Sequence, residues 1–292
     1  MPQVSVGLPV YNGENFIAEA IDSILNQSFE DLELVICDNA STDTTMEICQ
    51  KYLSQDKRIQ YHRHEKNFGA AYNYNRSFEL ASGEYFKWIS HDDLCAPTFL
   101  ERCVEVLDRE TSCVLCYPKT AIIDEYGEIL SYHEDKLDLS DSVPHKRLRK
   151  FLRKPAGCNP VFGLIRRDIL ATTQLIGAYE SSDHNLLVEL CLRGQFCEVP
   201  EYLFFRRNHP KMSRRVNKSS RDFALWFDPN YRGANRFPFL KLLLELIKCI
   251  QHSPISLREK CLCSGELIGA AFVLSYRAAI WSRARADQKR MY

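Results

Sequence analysis

Val4-Ser5-Val6-Gly7-Leu8-Pro9-Val10, running directly into Tyr11-Asn12-Gly13-Glu14, opens a unit that this chain goes on to repeat. The first seven residues read as a strand, and then the period changes: Phe16, Ile17, Ala20, Ile21, Ile24 and Leu25 recur at helical spacing within residues 14–27. Residues 32–37 are a second apolar strand and residues 44–53 a second helix, with Asp43 placed to cap it. Residues 59–62 and 71–81 repeat the pair, and Gly83 leads into a fourth strand, Tyr85-Phe86-Lys87-Trp88-Ile89. Strand and helix thus alternate three times. That pattern implies a mostly parallel sheet covered on both faces, with ligands held beyond the carboxyl ends of its strands.

After Pro97 the order is less regular. The pattern predicts a helix over 99–108, strand-like segments at 114–117 and 120–123, and a turn at Tyr126-Gly127. Residues 145–154 form a basic helical stretch, and residues 158–170 read as strand then helix. A helix over 185–192 ends at Gly194 as a C-terminal cap, and two short strands follow around 196–199 and 202–206. Beyond about residue 220 the pattern turns helical, over 239–250 and 261–281, broken by His252-Ser253-Pro254.

Composition excludes several classes. A chain of 292 residues with 45% apolar and 26% charged residues is ordinary for a globular protein. At this size it hides about 75% of its unfolded surface, so stability requires no disulfide or structural metal. Thirty-eight Lys and Arg balance thirty-eight Asp and Glu. No global basic field recruits nucleic acid, and any such patch is local. The start, Met1-Pro2-Gln3-Val4-Ser5, has no leader pattern, and no run of about 18 apolar residues occurs, so the twelve cysteines are expected to be reduced thiols in a cytoplasmic protein. Cys113 and Cys116 form the only C-x-x-C. On a strand, positions i and i+3 point to opposite faces, which argues against zinc.

Three strand ends carry polar residues where an open parallel sheet meets its ligand: Pro9-Val10-Tyr11-Asn12, Cys37-Asp38-Asn39 and Ser90-His91-Asp92-Asp93. Asp38 follows an apolar strand at once, so it reads as a crevice-mouth acceptor for a base or sugar, or as an Asx-turn residue within Asp38-Asn39-Ala40-Ser41-Thr42-Asp43. Asp92 and Asp93 suit a hard divalent cation shared with phosphate, or are solvated loop acids. The chain has neither G-x-G-x-x-G after its first strand nor a Walker-type G-x-x-x-x-G-K.

The residues from Leu8-Pro9-Val10-Tyr11-Asn12-Gly13-Glu14, through Ser23-Ile24-Leu25-Asn26-Gln27, Asp38-Asn39-Ala40-Ser41-Thr42-Asp43 and Asn67-Phe68-Gly69, to Gly83-Glu84-Tyr85 and Asp92-Asp93 resemble family 2 glycosyltransferases, in order over residues 4–95. A fainter match continues through Asp183 and Arg206-Arg207-Asn208-His209. The resemblance implies an α/β GT-A fold with a mostly parallel, Rossmann-like central sheet flanked by helices. Residues 1–218 would form that domain, with a nucleotide-sugar-binding half to about 95 and an acceptor half after it, and residues 219–292 a C-terminal helical extension. It also implies inverting transfer from a nucleotide diphosphate sugar, with a UDP-sugar the leading donor.

Carried over by position, Pro9, Tyr11 and Glu14 match the segment that lines the nucleoside, with Glu14 near the ribose. Asp38 matches the carboxylate that reads the base, and Asn67 and Gly69 the loop that approaches the nucleotide closely. Asp92 matches the last acid of the Asp-x-Asp motif, a ligand to Mn or Mg. Ser90 stands where the first acid would be, so a second contact must come from Ser90, His91 or Asp93, and Asp93 joins Asp92 in the expected metal set. The family's helix-three arginine is absent from Asn73-Tyr74-Asn75.

Inversion needs a base to take the acceptor's proton. Asp183 resembles that base, with Glu180 as the alternative and a helix-cap role as the plain reading. Seven Lys or Arg and no acid lie between Arg206 and Arg221; Arg207 and His209 are expected to meet the diphosphate, the rest to be solvated. The second basic run, within 146–154, reads as a solvated face, or as one that meets an anionic acceptor or a membrane surface. Asn159 falls where similar enzymes build the acceptor pocket. The leucine-rich helix near 239–250 reads first as core packing or a homodimer contact, and second as a peripheral membrane helix beside a lipid-linked or glycan acceptor. A non-catalytic nucleotide- or glycan-binding module on the same fold is the rival reading. Nucleic acid is disfavoured as a partner, because no aromatics interleave the basic run at 206–221.

Overall fold

The computed structural model describes residues 1–137, 139–153, 158–217, 219–232 and 238–270. Four parallel strands, β1 (Val4–Val10), β2 (Leu32–Asp38), β3 (Ile59–Arg63) and β4 (Tyr85–Trp88), lie in the order β3-β2-β1-β4. Every residue of β1, β2 and β4 is buried, as parallel strands covered on both faces must be. The crossovers are α1 (Ile17–Leu25), α2 (Thr45–Gln55) and α3 (Ala70–Glu79). On α1 the buried side chains Ile17, Ala20, Ile21 and Ile24 make the single apolar face that the sequence period requires. The chain steps outward from β1 to β3 and returns on the other side of β1 as β4. Strand order therefore reverses between β1 and β4, and the crevice outside their carboxyl ends is where such sheets bind ligands.

The second half widens the sheet as β8-β6-β9-β5, with β7 paired to β6. Its elements are β5 (Leu94–Cys95), α4 (Phe99–Arg109), β6 (Cys113–Ile123), β7 (Ile129–His133), α5 (Pro144–Arg153), a 3-10 turn (Asn159–Phe162), β8 (Leu164–Arg166), α6 (Arg167–Leu170), α7 (Ser182–Arg193) and β9 (Gln195–Arg207). Helices α8 (Ser213–Val216), α9 (Ser220–Phe227), α10 (Pro238–His252) and α11 (residues 257–270) follow. Helix α9 packs on α3, and α10 on α7.

Three expectations change. The segments 114–117 and 120–123 are one strand, as are 196–199 and 202–206. The parallel β6–β9 ladder runs through both, with register shifts at Pro118/Lys119 and Lys119/Thr120, so the apparent breaks are bulges. Another shift, between Cys113 and Leu115, places Val114 and Leu115 in one core and Cys113 and Cys116 together in the other, which overturns the opposite-face expectation. Helix α7 starts at Ser182, three residues early; Gly194 does end it, in extended backbone, where a Cβ would collide with Val114. Residues 271–281 of the last expected helix lie outside the described residues.

Candidate active site

The polar groups at the ends of β1 and β2 form one closed network. Asp38 is fully buried: Oδ1 accepts the Ser41 N–H (2.8 Å), and Oδ2 accepts the Tyr61 hydroxyl and the Arg63 guanidinium, each at 2.7 Å. The carboxylate expected at the crevice mouth is thus enclosed, and the Asx-turn role is the one it displays. Asn39 donates from Nδ2 to Asn67 Oδ1 (2.8 Å) and to the Gly69 carbonyl (3.1 Å), while Asn67 Oδ1 also accepts the Gly69 N–H (2.8 Å). Asn73, buried on α3, donates to the carbonyls of Val10 (3.2 Å), the last residue of β1, and Cys37 (2.9 Å), the last but one of β2, and its Oδ1 meets His64 Nε2 at 3.1 Å. Gly69 has φ +91°, and a Cβ there would strike the Phe227 carbonyl at the end of α9, so the close approach expected of a nucleotide is here made by backbone.

Nearer solvent, Glu14 accepts from the Thr44 N–H (3.2 Å) and hydroxyl (2.9 Å) at the start of α2. Pro9 lies within β1 opposite Cys37, and Tyr11 is exposed just past the strand end.

The loop after β4 carries the charged centre. Ser90 Oγ meets the Tyr74 hydroxyl at 3.1 Å, and the half-buried His91 ring packs over Gly13. Asp92 Oδ2 lies 2.9 Å from His209 Nε2. Burial pushes the Asp92 carboxyl up, but the hydrogen bond from His209 and the charges of His91 and His209 outweigh it and hold the group below its usual value. The separation fits a shared cation: two donors about 2.1 Å from an ion at neighbouring octahedral corners stand about 3.0 Å apart. Among the described residues no three His, Cys, Asp or Glu side chains converge as a metal site, so any ion bound here needs ligands from elsewhere.

Two expected residues require correction. Asp93 does not stand beside Asp92 toward a metal; it folds inward, where Oδ1 accepts the Arg207 N–H (2.9 Å), and burial plus the Asp92 charge push its carboxyl well above the usual range. Arg207 spends its hydrogen bonds within the fold rather than facing the crevice: its buried guanidinium donates to the carbonyls of Asp92 (2.9 Å), Asp124 (3.3 Å) and Glu125 (3.0 Å) and to Glu19 (2.7 Å), with Phe16 stacked on it at 4.6 Å. It braces the Asp92 loop.

The opposing wall is the first turn of α7. Asp183 is half-buried, inside the helix rather than before it, and its Oδ1 accepts the His184 N–H (2.8 Å). Burial pushes the Tyr74 hydroxyl up, and the charges of Asp92, Asp93 and Asp183 push it the same way. Asn75 ties the two sides together, exchanging both backbone hydrogen bonds with Ile176 at 3.0 Å. Ser182 Oγ, His184 Nδ1 and Asn185 Oδ1 on this turn are buried without partners. Buried Asn159 accepts from Arg206 Nη1 (3.2 Å) and approaches Asp135 at 3.5 Å, so Arg206, not Arg207, reaches this wall. Sequence reasoning named Asn39 only as part of a polar strand end, and missed Asn73, Tyr74 and Glu19 as parts of the site. The asparagines and Tyr74 sit within or beside the matched motifs, whereas nothing local marks Glu19.

The sheet places its switch point at β1/β4 with an acid–imidazole pair beside it; the chain belongs to glycosyl transferase family 2, which it matches over residues 5–173. Its fold is GT-A. It is 35% identical over 147 residues to an uncharacterized glycosyltransferase of Rickettsia typhi and 30% identical over 155 residues to a chondroitin synthase of Escherichia coli. These matches take in 48% and 51% of this chain but only 45% and 22% of those proteins, so the chain spans less than half the length of either. Among solved structures, S. aureus TarS 1-349 in complex with UDP-GlcNAc superposes with a TM-score of 0.69 at 15% identity, over 93% of this chain and 73% of that one. The mannosyltransferase PcManGT of Pyrobaculum calidifontis, in complex with GDP-Man and Mn2+, gives 0.55 at 18% identity, over 96% and 80%.

Proposed function

We propose that this protein is an inverting, metal-dependent glycosyltransferase that moves a hexosyl or related sugar from a UDP-sugar to a hydroxyl of a glycan or lipid-linked acceptor in cell-surface polysaccharide or glycoconjugate synthesis. The observation that carries the reading is the Asp92–His209 pair, 2.9 Å apart, with Asp92 on the loop after β4. Asp92 and His209 would hold Mn or Mg, which when bound offsets charge on the departing diphosphate. Tyr11, Asn67 and the Asp38 turn shape the nucleoside side, and Ser90 with Tyr74 offers two hydroxyls toward the donor in place of the first acid. Asp183 takes the acceptor proton as the acceptor oxygen attacks from the opposite face.

Thermal unfolding with UDP, GDP, dTDP and CMP, each with and without Mn, tests the donor site on the wild type and on Asp92→Asn. Saturation at about a hundredfold the dissociation constant adds roughly 2.7 kcal/mol, a rise of several degrees. A shift for UDP that needs Mn and vanishes in the variant is the expected result, and none with any nucleotide overturns the reading. Donor binding without turnover on any acceptor would leave a binding module, the alternative that Ser90 motivates.

A further inference from the structure

Residues 1–142 carry 11 Lys and Arg against 26 Asp and Glu, whereas residues 143–292 carry 27 against 12. The neutral chain is thus two opposed halves of −15 and +15. The basic half ends in the helical pair α10 and α11, which leaves apolar side chains in solvent. Leu240, Leu244 and Ile247 are 50%, 49% and 41% exposed, at the i, i+4, i+7 spacing of one helix face, and on α11 Leu257 and Ile268 are 77% and 71% exposed.

The acids of these helices are withdrawn from that surface. Glu245 is 6% exposed and clamped between Lys241 (3.2 Å) and Lys248 (3.0 Å). Glu259 and Glu266 turn inward to His145 and Arg149 of α5. What remains outward is Leu and Ile bordered by Lys241, Lys248 and Arg258, all exposed.

We infer that α10 and α11 form a docking face for an anionic lipid surface. The leucine stripe enters the headgroup boundary, with Arg258 at the phosphates and Lys241 and Lys248 exchanging their contact with Glu245 for phosphate. Exposed Lys and Arg beside the stripe add electrostatic attraction to the anionic lipid. The face is independent of the transfer chemistry, so it stands or falls apart from the catalytic reading.

Co-sedimentation of the full chain with vesicles tests this, using phosphatidylcholine alone against phosphatidylcholine with about 30% phosphatidylglycerol. Binding is expected only with phosphatidylglycerol, falling about tenfold or more at high salt and in a Leu244→Glu/Ile247→Glu double variant. That variant is expected to melt within about 2 °C of the wild type, since both side chains are exposed. No phosphatidylglycerol-dependent binding, or binding that survives the double variant, overturns the inference. A wild-type dimer that the variant dissociates makes the stripe a contact between copies, and a large fall in melting temperature makes it a seat for the chain's own residues; either result overturns it. Equal vesicle release by a polyanion such as single-stranded RNA, with the variant unimpaired, reduces the face to a general anion-binding surface.

Discussion

The two walls of the crevice are built on opposite principles. On the β1–β3 side Asp38, Asn39, Asn67 and Asn73 spend their hydrogen bonds on one another and on strand-end backbone, so the wall is complete without a ligand. On the other side, three buried side-chain polar atoms on the first turn of α7, Ser182 Oγ, His184 Nδ1 and Asn185 Oδ1, lack a hydrogen-bond partner. Buried polar atoms are rarely left in this state. The β1–β3 wall is therefore complete in itself, whereas the first turn of α7 keeps polar atoms that the rest of the protein does not satisfy.

The largest expected effect would break the comparison at its chemical end. Asp183→Asn should lower turnover about a thousandfold, the usual reach of a general base, while leaving the Mn-dependent shift with UDP intact. Substantial turnover in that variant would move the base elsewhere, Glu180 first. Next comes Arg207→Met, which asks whether Arg207 braces the Asp92 loop or contacts phosphate. Removing it strips donors from three backbone carbonyls at about 1 kcal/mol each, so a loss of about 3 kcal/mol is expected in denaturant unfolding without nucleotide. The ion pair to Glu19 adds little, because that carboxylate is 55% exposed. A diphosphate contact would instead leave the free protein's stability unchanged.

The same contrast explains what the sequence discloses. The strand-helix repeat and the β1–β3 wall lie in residues 4–95, where each functional residue follows the strand that positions it, so period and adjacency suffice. The other wall depends on parity. Which of Arg206 and Arg207 points inward is decided by the bulges in the β6–β9 ladder, and one residue of slip exchanges their faces. The same kind of shift turned Cys113 and Cys116 to one side. Asp92 and Asp93 part company because a turn closes there, with the Asp93 N–H on the Ser90 carbonyl (3.3 Å), and β5 begins at the next residue. Glu19 meets Arg207 across 188 positions, a pairing that no local pattern encodes.

Two smaller effects sharpen the comparison on α7. Burial pushes the His184 imidazole below its ordinary value, so the folded state favours the neutral ring. The unfolded chain then takes up the proton first as pH falls. Stability from this group is complete above the unfolded value, near 6.5, and declines below it, by at most about 1.4 kcal/mol per pH unit. His184→Gln should flatten the melting-temperature profile in that window, and an unchanged profile would place the ring in water. Ser182→Ala is the smallest change and the most discriminating. Its hydroxyl is buried without a partner, so deleting it should cost no stability and could return a few tenths of a kcal/mol, where a bonded buried hydroxyl would cost about 1 kcal/mol. Because the hydroxyl is out of a ligand's reach, the same variant is expected to leave the acceptor KM, kcat and the UDP shift unchanged. A stability loss near 1 kcal/mol would mean that Ser182 is satisfied within the protein, and the two walls would then differ less than their hydrogen bonds imply.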